Sequence, residues 1–245
     1  MRIRHKPWAK PEIAASPFCM DDAFALRGSW RSRFPRPQQP FYVELGCGKG
    51  GWVSEASARR PENNYLAFDI KDEMLGMAKR KIEARFRELD RSPDNVRLSI
   101  LNIERISEVL SPEDGVDRIY INFCNPWPKP SHKKRRLTHP RQLVQYQSIL
   151  HGELHFKTDD DDLFAESVIY FEDCGWEILY RTTDLHADEP DDNIRTEHEQ
   201  MFTNEGKKIK FLIAKPPAGE AKLPEKYAPK NRSQELENDG EAFSE

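Results

Sequence analysis

Short β-branched and aromatic runs alternate along this chain with longer stretches whose apolar positions recur at helical spacing. Phe41–Leu45, Tyr65–Ile70, Asn95–Leu101 and Asp117–Phe123 read as strands, each a brief run of residues that suit a buried pleat. Glu153–Thr158, Trp176–Thr183 and Lys210–Lys215 continue the series. Helix-compatible stretches separate them: residues 52–60, a helix from near Asp72, a brief one over Ile103–Leu110, one over Pro140–Leu150, and one carrying Phe164, Val168 and Phe171. In the second of these, Leu75, Ala78, Ile82, Phe86 and Leu89 recur at helical steps, which predicts one buried face. Lys79, Arg80, Lys81 and Arg87 then fall on the solvated side, and Asp72 suits the N-cap. Strands alternating with helices predict an α/β fold.

In open α/β sheets ligands sit beyond the carboxyl ends of strands, so the residues at those ends carry the candidate chemistry. The first strand leads into Glu44-Leu-Gly-Cys-Gly-Lys-Gly-Gly51. Gly46, Gly48 and Gly50 alternate there, which lets backbone approach a ligand where a Cβ would clash. The spacing is neither the G-x-G-x-x-G of dinucleotide binders nor a P-loop. Asp69 closes the second strand, where a carboxylate can accept both ribose hydroxyls of an adenosine-containing cofactor. Asn102 directly follows the third.

The fourth strand stops at Asn125 in Asn-Pro-Trp-Pro-Lys-Pro, where prolines forbid both helix and ladder pairing. His132, Lys133, Lys134, Arg135 and Arg136 follow as a cationic run. A strand, a stiff polar-aromatic hook and a basic clamp predict a base-sized pocket beside a phosphate-binding surface. The bland account is ordinary turn chemistry and a solvated charged face. After the fifth strand come Asp159, Asp160, Asp161 and Asp162, acids that suit a helix N-terminus. Asp159, nearest the strand, is expected to point into the cleft. Thr196 and Glu199 have capping-box spacing.

Composition narrows the picture. At 245 residues the chain can bury one large core, and its 37% hydrophobic and 33% charged content predicts that part of it lies outside that core. A net charge of −4 argues against wholesale coating of nucleic acid and leaves room for a local basic patch. Residues 1–36 form such a patch, with eight Lys/Arg against three acids and Trp8, Phe18, Phe24, Trp30 and Phe34 interleaved. They are expected to be an arm that orders on its partner, gripping phosphates and stacking on bases; the alternative is aromatics that pack on the domain. Residues 37–215 are expected to be the folded domain, and the Pro-, Lys- and Glu-rich residues 216–245 a disordered tail. Cys19, Cys47, Cys124 and Cys174 are too scattered for a disulfide frame or zinc site, so reduced thiols, no metal and a cytoplasmic protein are expected. No long apolar run and no secretory signal pattern is present, so no membrane partner is expected.

The block E-x-G-x-G-x-G resembles motif I of the class I S-adenosylmethionine-dependent methyltransferases. From residue 1 to about 215, MRIRHKPWA, ELGCGKGG, NFCNPWPKPSHKKRRL, HFKTD, DLH and NIRTEHE, in this order, resemble the bacterial tRNA (guanine-N7)-methyltransferases, which modify guanine 46 of the variable loop. The resemblance implies a Rossmann-like class I methyltransferase fold, with seven mostly parallel strands, helices on both faces and an antiparallel last strand. It implies S-adenosylmethionine as cofactor, leaving as S-adenosylhomocysteine, and tRNA as partner; a monomer and a homodimer both fit. Carried over by position, it implies cofactor contacts from Glu44, Gly46, Gly48, Asp69, Asn102 and Asn125. It implies RNA or guanine contacts from Lys129, Ser131, His132, Lys133, Lys134, Arg135 and Arg136, and from Asp159, Thr196, Glu197, His198 and Glu199.

Two positions depart from the family pattern. Asp69 stands where the family usually has Glu, which still leaves a ribose acceptor. Asn125 stands where it usually has the Asp assigned as the active-site residue. Asn-Pro-Trp also resembles the [DN]-P-P-[YW] hook of N6-adenine and related amino-methyltransferases, although here the second Pro follows the Trp. A non-catalytic tRNA-binding homologue is the other alternative, and the intact glycines and ribose acid argue against it.

Overall fold

The computed structural model describes residues 4–187, 189–190 and 193–229. Among these residues, eight strands form one sheet: β1 (Cys19–Met20), β2 (Phe41–Leu45), β3 (Asn64–Asp69), β4 (Val96–Ile100), β5 (Val116–Asn122), β6 (Leu150–Thr158), β7 (Glu177–Thr182) and β8 (Lys210–Lys215). Their order across the sheet is β1-β4-β3-β2-β5-β6-β8-β7, and β8 alone runs against its neighbours. The chain moves from β2 outward to β4, then crosses to β5 on the other side of β2. That reversal opens a crevice at the carboxyl ends of β2 and β5.

Among the described residues, seven α-helices flank the sheet: α1 (Ala9–Ala14), α2 (Gly51–Arg59), α3 (Asp72–Glu88), α4 (Ile106–Val109), α5 (Pro140–Ile149), α6 (Asp161–Asp173) and α7 (Glu197–Asn204). Because side chains alternate along a strand, one sheet supplies two cores. Phe41, Val43, Leu45, Leu66 and Phe68 pack with α5 and α6, whereas Tyr65, Ala67, Val96 and Leu98 pack with α2 and α3.

The eighth strand is the difference from the seven expected. The two residues Cys19–Met20 are too few to show a period, and β1 exists because it pairs with β4. It lies in the segment expected to be an arm, three of whose aromatics, Phe18, Trp30 and Phe34, are buried in the core, while Phe24 is exposed. The Trp30 indole N–H donates to the Val109 carbonyl at 2.7 Å, and its backbone N–H to Asp114 at 2.9 Å. Trp8 lies on α3 beneath the Arg80 guanidinium, 3.5 Å from its ring centroid.

Two details of α3 also differ. The N-cap position belongs to Lys71 rather than Asp72, and Leu89 falls past the helix end and is exposed. Lys79, expected in solvent, is buried against Glu83 and Glu12 because α1 covers that side of the helix. Of the expected tail, residues 216–229 lie on α5 and α6: the Tyr227 hydroxyl bonds Asp173 at 2.5 Å, and Gln147 donates to the Pro217 carbonyl at 3.1 Å. Residues 230–245 lie outside the described residues. Among the described residues, no helix is long and apolar enough to cross a membrane.

Candidate active site

The loop after β2 turns on glycines that sit in the left-handed region, Gly46 at φ +77°, Gly48 at +55° and Gly50 at +72°. At Gly50 the need is also steric. A Cβ there would come within 2.7 Å of Ala78 on α3, so the loop's closest approach is to a helix rather than a ligand. At Gly48 the Cβ direction is open, and its N–H donates to Asp69 Oδ2 at 2.9 Å. Asp69 Oδ1 accepts the Lys71 N–H at 3.0 Å. Each carboxylate oxygen therefore keeps a lone pair for a ligand hydroxyl. Burial raises the Asp69 pKa, opposed by those backbone hydrogen bonds.

Two cavities meet at this loop. The larger, about 630 Å³, is lined by Gly46, Asp69, Ile70, Asn102, Asn125 and Trp127 among others. Ile70 is 58% exposed there, an apolar surface at the rim that a planar ligand would cover. Asn102 Oδ1 accepts the Glu104 N–H at 3.2 Å, which leaves its amide N–H groups as donors.

The smaller cavity, about 100 Å³, is lined by Glu44, the glycine loop, Asn122, Phe123 and residues 196–198. Here Glu44 is 3% exposed. The Asn122 amide donates to Glu44 Oε1 at 3.0 Å, while Glu44 Oε2 and Asn122 Oδ1 are buried without hydrogen-bond partners among the described residues. The Val53 backbone amide lies near enough to favour the charged form without making that bond. Burial pushes the Glu44 carboxyl up to about 8, opposed chiefly by Asn122. Two orphaned acceptors facing one small cavity call for a cationic donor with several N–H groups. The α-ammonium of a methionine moiety is such a group, and the adjoining larger cavity matches an adenosine. The residues present therefore fit S-adenosylmethionine.

The hook continues from β5. Phe123 at φ +53° and Trp127 at φ +44° are bulky residues in the left-handed region, each carrying ~1–3 kcal/mol of strain. Asn125 is exposed, and its Oδ1 accepts the Trp127 N–H at 3.2 Å. The Arg135 guanidinium lies 5.2 Å from the Trp127 ring centroid, and the His132 ring meets it edge-on at 5.7 Å. Lys129, Ser131, Lys134 and Arg135 are exposed, with His132 and Lys133 half-buried.

Three residues expected to meet RNA are built into the structure instead. Arg136 is 1% exposed, donating from Nε to the Pro126 carbonyl and from Nη1 to Glu166 Oε2, both at 2.7 Å. Glu199 is fully buried, closing the capping box with Thr196 and pairing with Lys157 at 3.1 Å. Asp159 pairs with Lys207 at 3.2 Å and lines neither cavity. Thr196, Glu197 and His198 do reach the smaller one, and Glu197 pairs with Lys81. Beside them His186, Glu189 and Glu199 place one potential ligand atom each within 4.8 Å of one another. Arg195 on Glu189 and Lys157 on Glu199 already balance that charge.

Asn122, Phe123 and Lys157 were not singled out in the sequence. Asn122 ends a strand, as Asp69 does, and that position was the available signal.

A family model described as "Putative methyltransferase" matches residues 38–212. A tRNA (guanine-N(7)-)-methyltransferase of Clostridium beijerinckii is 53% identical over 216 residues, 87% of this chain and 98% of that protein. Its counterpart in Acetivibrio thermocellus is 48% identical, over 87% and 99%. The chain belongs to the tRNA (guanine-N7)-methyltransferases. Fold likeness extends to the solved 16S rRNA methyltransferase KamB, with a TM-score of 0.53 at 14% identity over 76% of this chain and 91% of that one. Within this methyltransferase family member, the two cavities and the hook stand at the carboxyl ends of β2–β5.

Proposed function

We propose that this protein transfers a methyl group from S-adenosylmethionine to N7 of guanine 46 in the variable loop of tRNA, in the cytoplasm. The observation that carries the reading is Asn125, held on a strained hook at the rim of the same cavity as Asp69 and Asn102. Glu44 and Asn122 would take the cofactor's ammonium, Asp69 its ribose and Asn102 its adenine edge. Bound S-adenosylmethionine supplies an electrophilic methyl on sulfur.

Guanine N7 carries an in-plane lone pair and no proton, so its attack needs no general base. The protein's task is to receive an extruded base and hold it in line, where positioning supplies much of the rate. N7 becomes cationic as the bond forms, and the Asn125 carbonyl oxygen offers a dipole to that charge where a carboxylate would offer more. Lys129, Ser131, His132, Lys134 and Arg135 supply the phosphate-binding rim.

The test is methyl transfer from labelled S-adenosylmethionine to unmodified tRNA with and without guanine at position 46. Label as 7-methylguanine only when that guanine is present is the expected result. Label on an exocyclic amine would favour an amino-methyltransferase, and tight tRNA binding without label a non-catalytic homologue. Asn125→Asp should leave or raise turnover; abolished turnover would refute this role for the amide.

A further inference from the structure

The hook has an unusual fastening problem. Pro126, Pro128 and Pro130 have no backbone N–H, so the segment can be tied down mainly through its carbonyls. With Phe123 and Trp127 both at positive φ, it holds its shape only where the surroundings impose it. On the sheet side, the Phe123 N–H donates to the Lys157 carbonyl at 2.9 Å. On the far side, Arg136 Nε donates to the Pro126 carbonyl, next to Asn125.

Arg136 is a buried cation and needs a fixed counter-ion. Glu166 on α6 is that group. Its Oε2 accepts from Arg136 Nη1 at 2.7 Å and from the Tyr170 hydroxyl at 3.1 Å, and its Oε1 from Lys133 at 2.5 Å. Tyr170 is held in turn by Tyr227, whose ring meets it edge-on at 5.7 Å. One carboxylate therefore gathers two cations of the basic run onto α6 and leaves Lys134 and Arg135 facing outward.

We propose that Glu166 is a positioning residue for methyl transfer: through Arg136 it fixes the Pro126 carbonyl, and with it the turn that presents Asn125. The proposal rests on the reading of the site given above. It separates the basic run into residues that meet phosphate and residues that hold the hook, and Arg136 belongs to the second group.

The experiment compares wild type, Glu166→Gln and Arg136→Lys in the full chain. It measures kcat and KM on unmodified tRNA, S-adenosylmethionine affinity by calorimetry, and tRNA affinity against salt. Arg136→Lys keeps a positive charge beside Glu166 and loses the fork that reaches both partners, so it guards against a variant that fails to fold. Both variants should lower kcat by ~10-fold or more, as expected for a displaced reacting group. KM and cofactor affinity should stay within ~3-fold and the salt slope of tRNA binding should match wild type, because no phosphate contact is lost. A several-fold weaker tRNA affinity in Arg136→Lys with kcat unchanged would make Arg136 a bidentate phosphate contact and overturn the proposal. An unchanged kcat in Arg136→Lys would overturn it as well. Nucleoside analysis of the wild-type product tests the underlying reading separately, since the variant-to-wild-type ratio does not depend on which base carries the label.

Discussion

The two halves of the site treat their buried polar groups in opposite ways. On the glycine-loop side, Glu44 Oε2 and Asn122 Oδ1 are buried and left without partners among the described residues. Outside the cavity linings, Arg136 on the hook is tied to Glu166 and Pro126, and Glu199 behind the glycine-loop cavity to Lys157 and Thr196. An unmet acceptor lowers the stability of the free protein and marks where a ligand will complete the bonding. A saturated ion pair marks architecture. The signature blocks run through both halves, so they hold both unsatisfied acceptors and residues already saturated by ion pairs.

Breaking the saturated half should do the greatest damage. Glu199→Ala would remove the buried carboxylate that pairs with Lys157, itself 5% exposed, and with it the capping box of α7. The expected loss is ~3–5 kcal/mol of folding stability, read by thermal or denaturant unfolding. A loss under ~1 kcal/mol, with tRNA affinity falling instead, would return Glu199 to the RNA-contacting group.

Glu44→Gln asks the converse question on the open half. It replaces a buried carboxyl with an unsatisfied oxygen by a neutral amide, so unfolding stability should hold or rise. S-adenosylmethionine affinity should fall by ~10- to 100-fold as a charge-assisted hydrogen bond is lost. Calorimetry measures both the affinity and its loss. A variant that binds cofactor normally would mean that Glu44 is a core residue and that the contrast between the halves is false.

These two residues also show what the sequence could and could not reveal. Glu44, Asp69, Asn102 and Asn125 were legible because each interrupts or follows a β-forming run, and such positions lie at the ligand edge of an α/β sheet. Arg135 and Arg136 were not separable, being consecutive in one cationic run. Their opposite fates follow from a 3₁₀ turn over Pro130–Arg135 and from Glu166, thirty residues downstream of Arg136 in the chain. Trp30 and Phe34 misled for a related reason. They enter the core from a 3₁₀ turn and the residue that ends it, where no periodicity announces burial.

The open half should also carry the pH dependence of cofactor binding. With its carboxyl pushed up to about 8, Glu44 holds a proton at neutral pH that it would have lost in the unfolded chain. This group's contribution to stability therefore falls as pH rises from the ordinary carboxylate range to about 8. A cationic ammonium binds the charged form, so cofactor binding releases that proton. Affinity should accordingly rise by up to ~10-fold per pH unit below the shifted pKa and flatten above it. Proton uptake on binding, or a slope that survives in Glu44→Gln, would assign the dependence elsewhere.

The smallest effect belongs to the exposed rim, where Lys134 shares its stretch of chain with the buried Arg136. Lys134 is exposed, whereas Arg136 is buried and paired with Glu166, so the Lys134 charge can meet a phosphate in solvent. Lys134→Ala should therefore weaken tRNA binding by a few-fold at moderate salt and lower the slope of log affinity against log salt by ~1, for one phosphate contact. Stability should change by no more than ~0.5 kcal/mol, as for other surface substitutions. Filter binding across a salt series measures the slope, and S-adenosylmethionine affinity should not move. If the slope instead stays at the wild-type value in Lys134→Ala and drops in Arg136→Ala, the division of the basic run is reversed, and the buried arginine must turn outward when tRNA arrives.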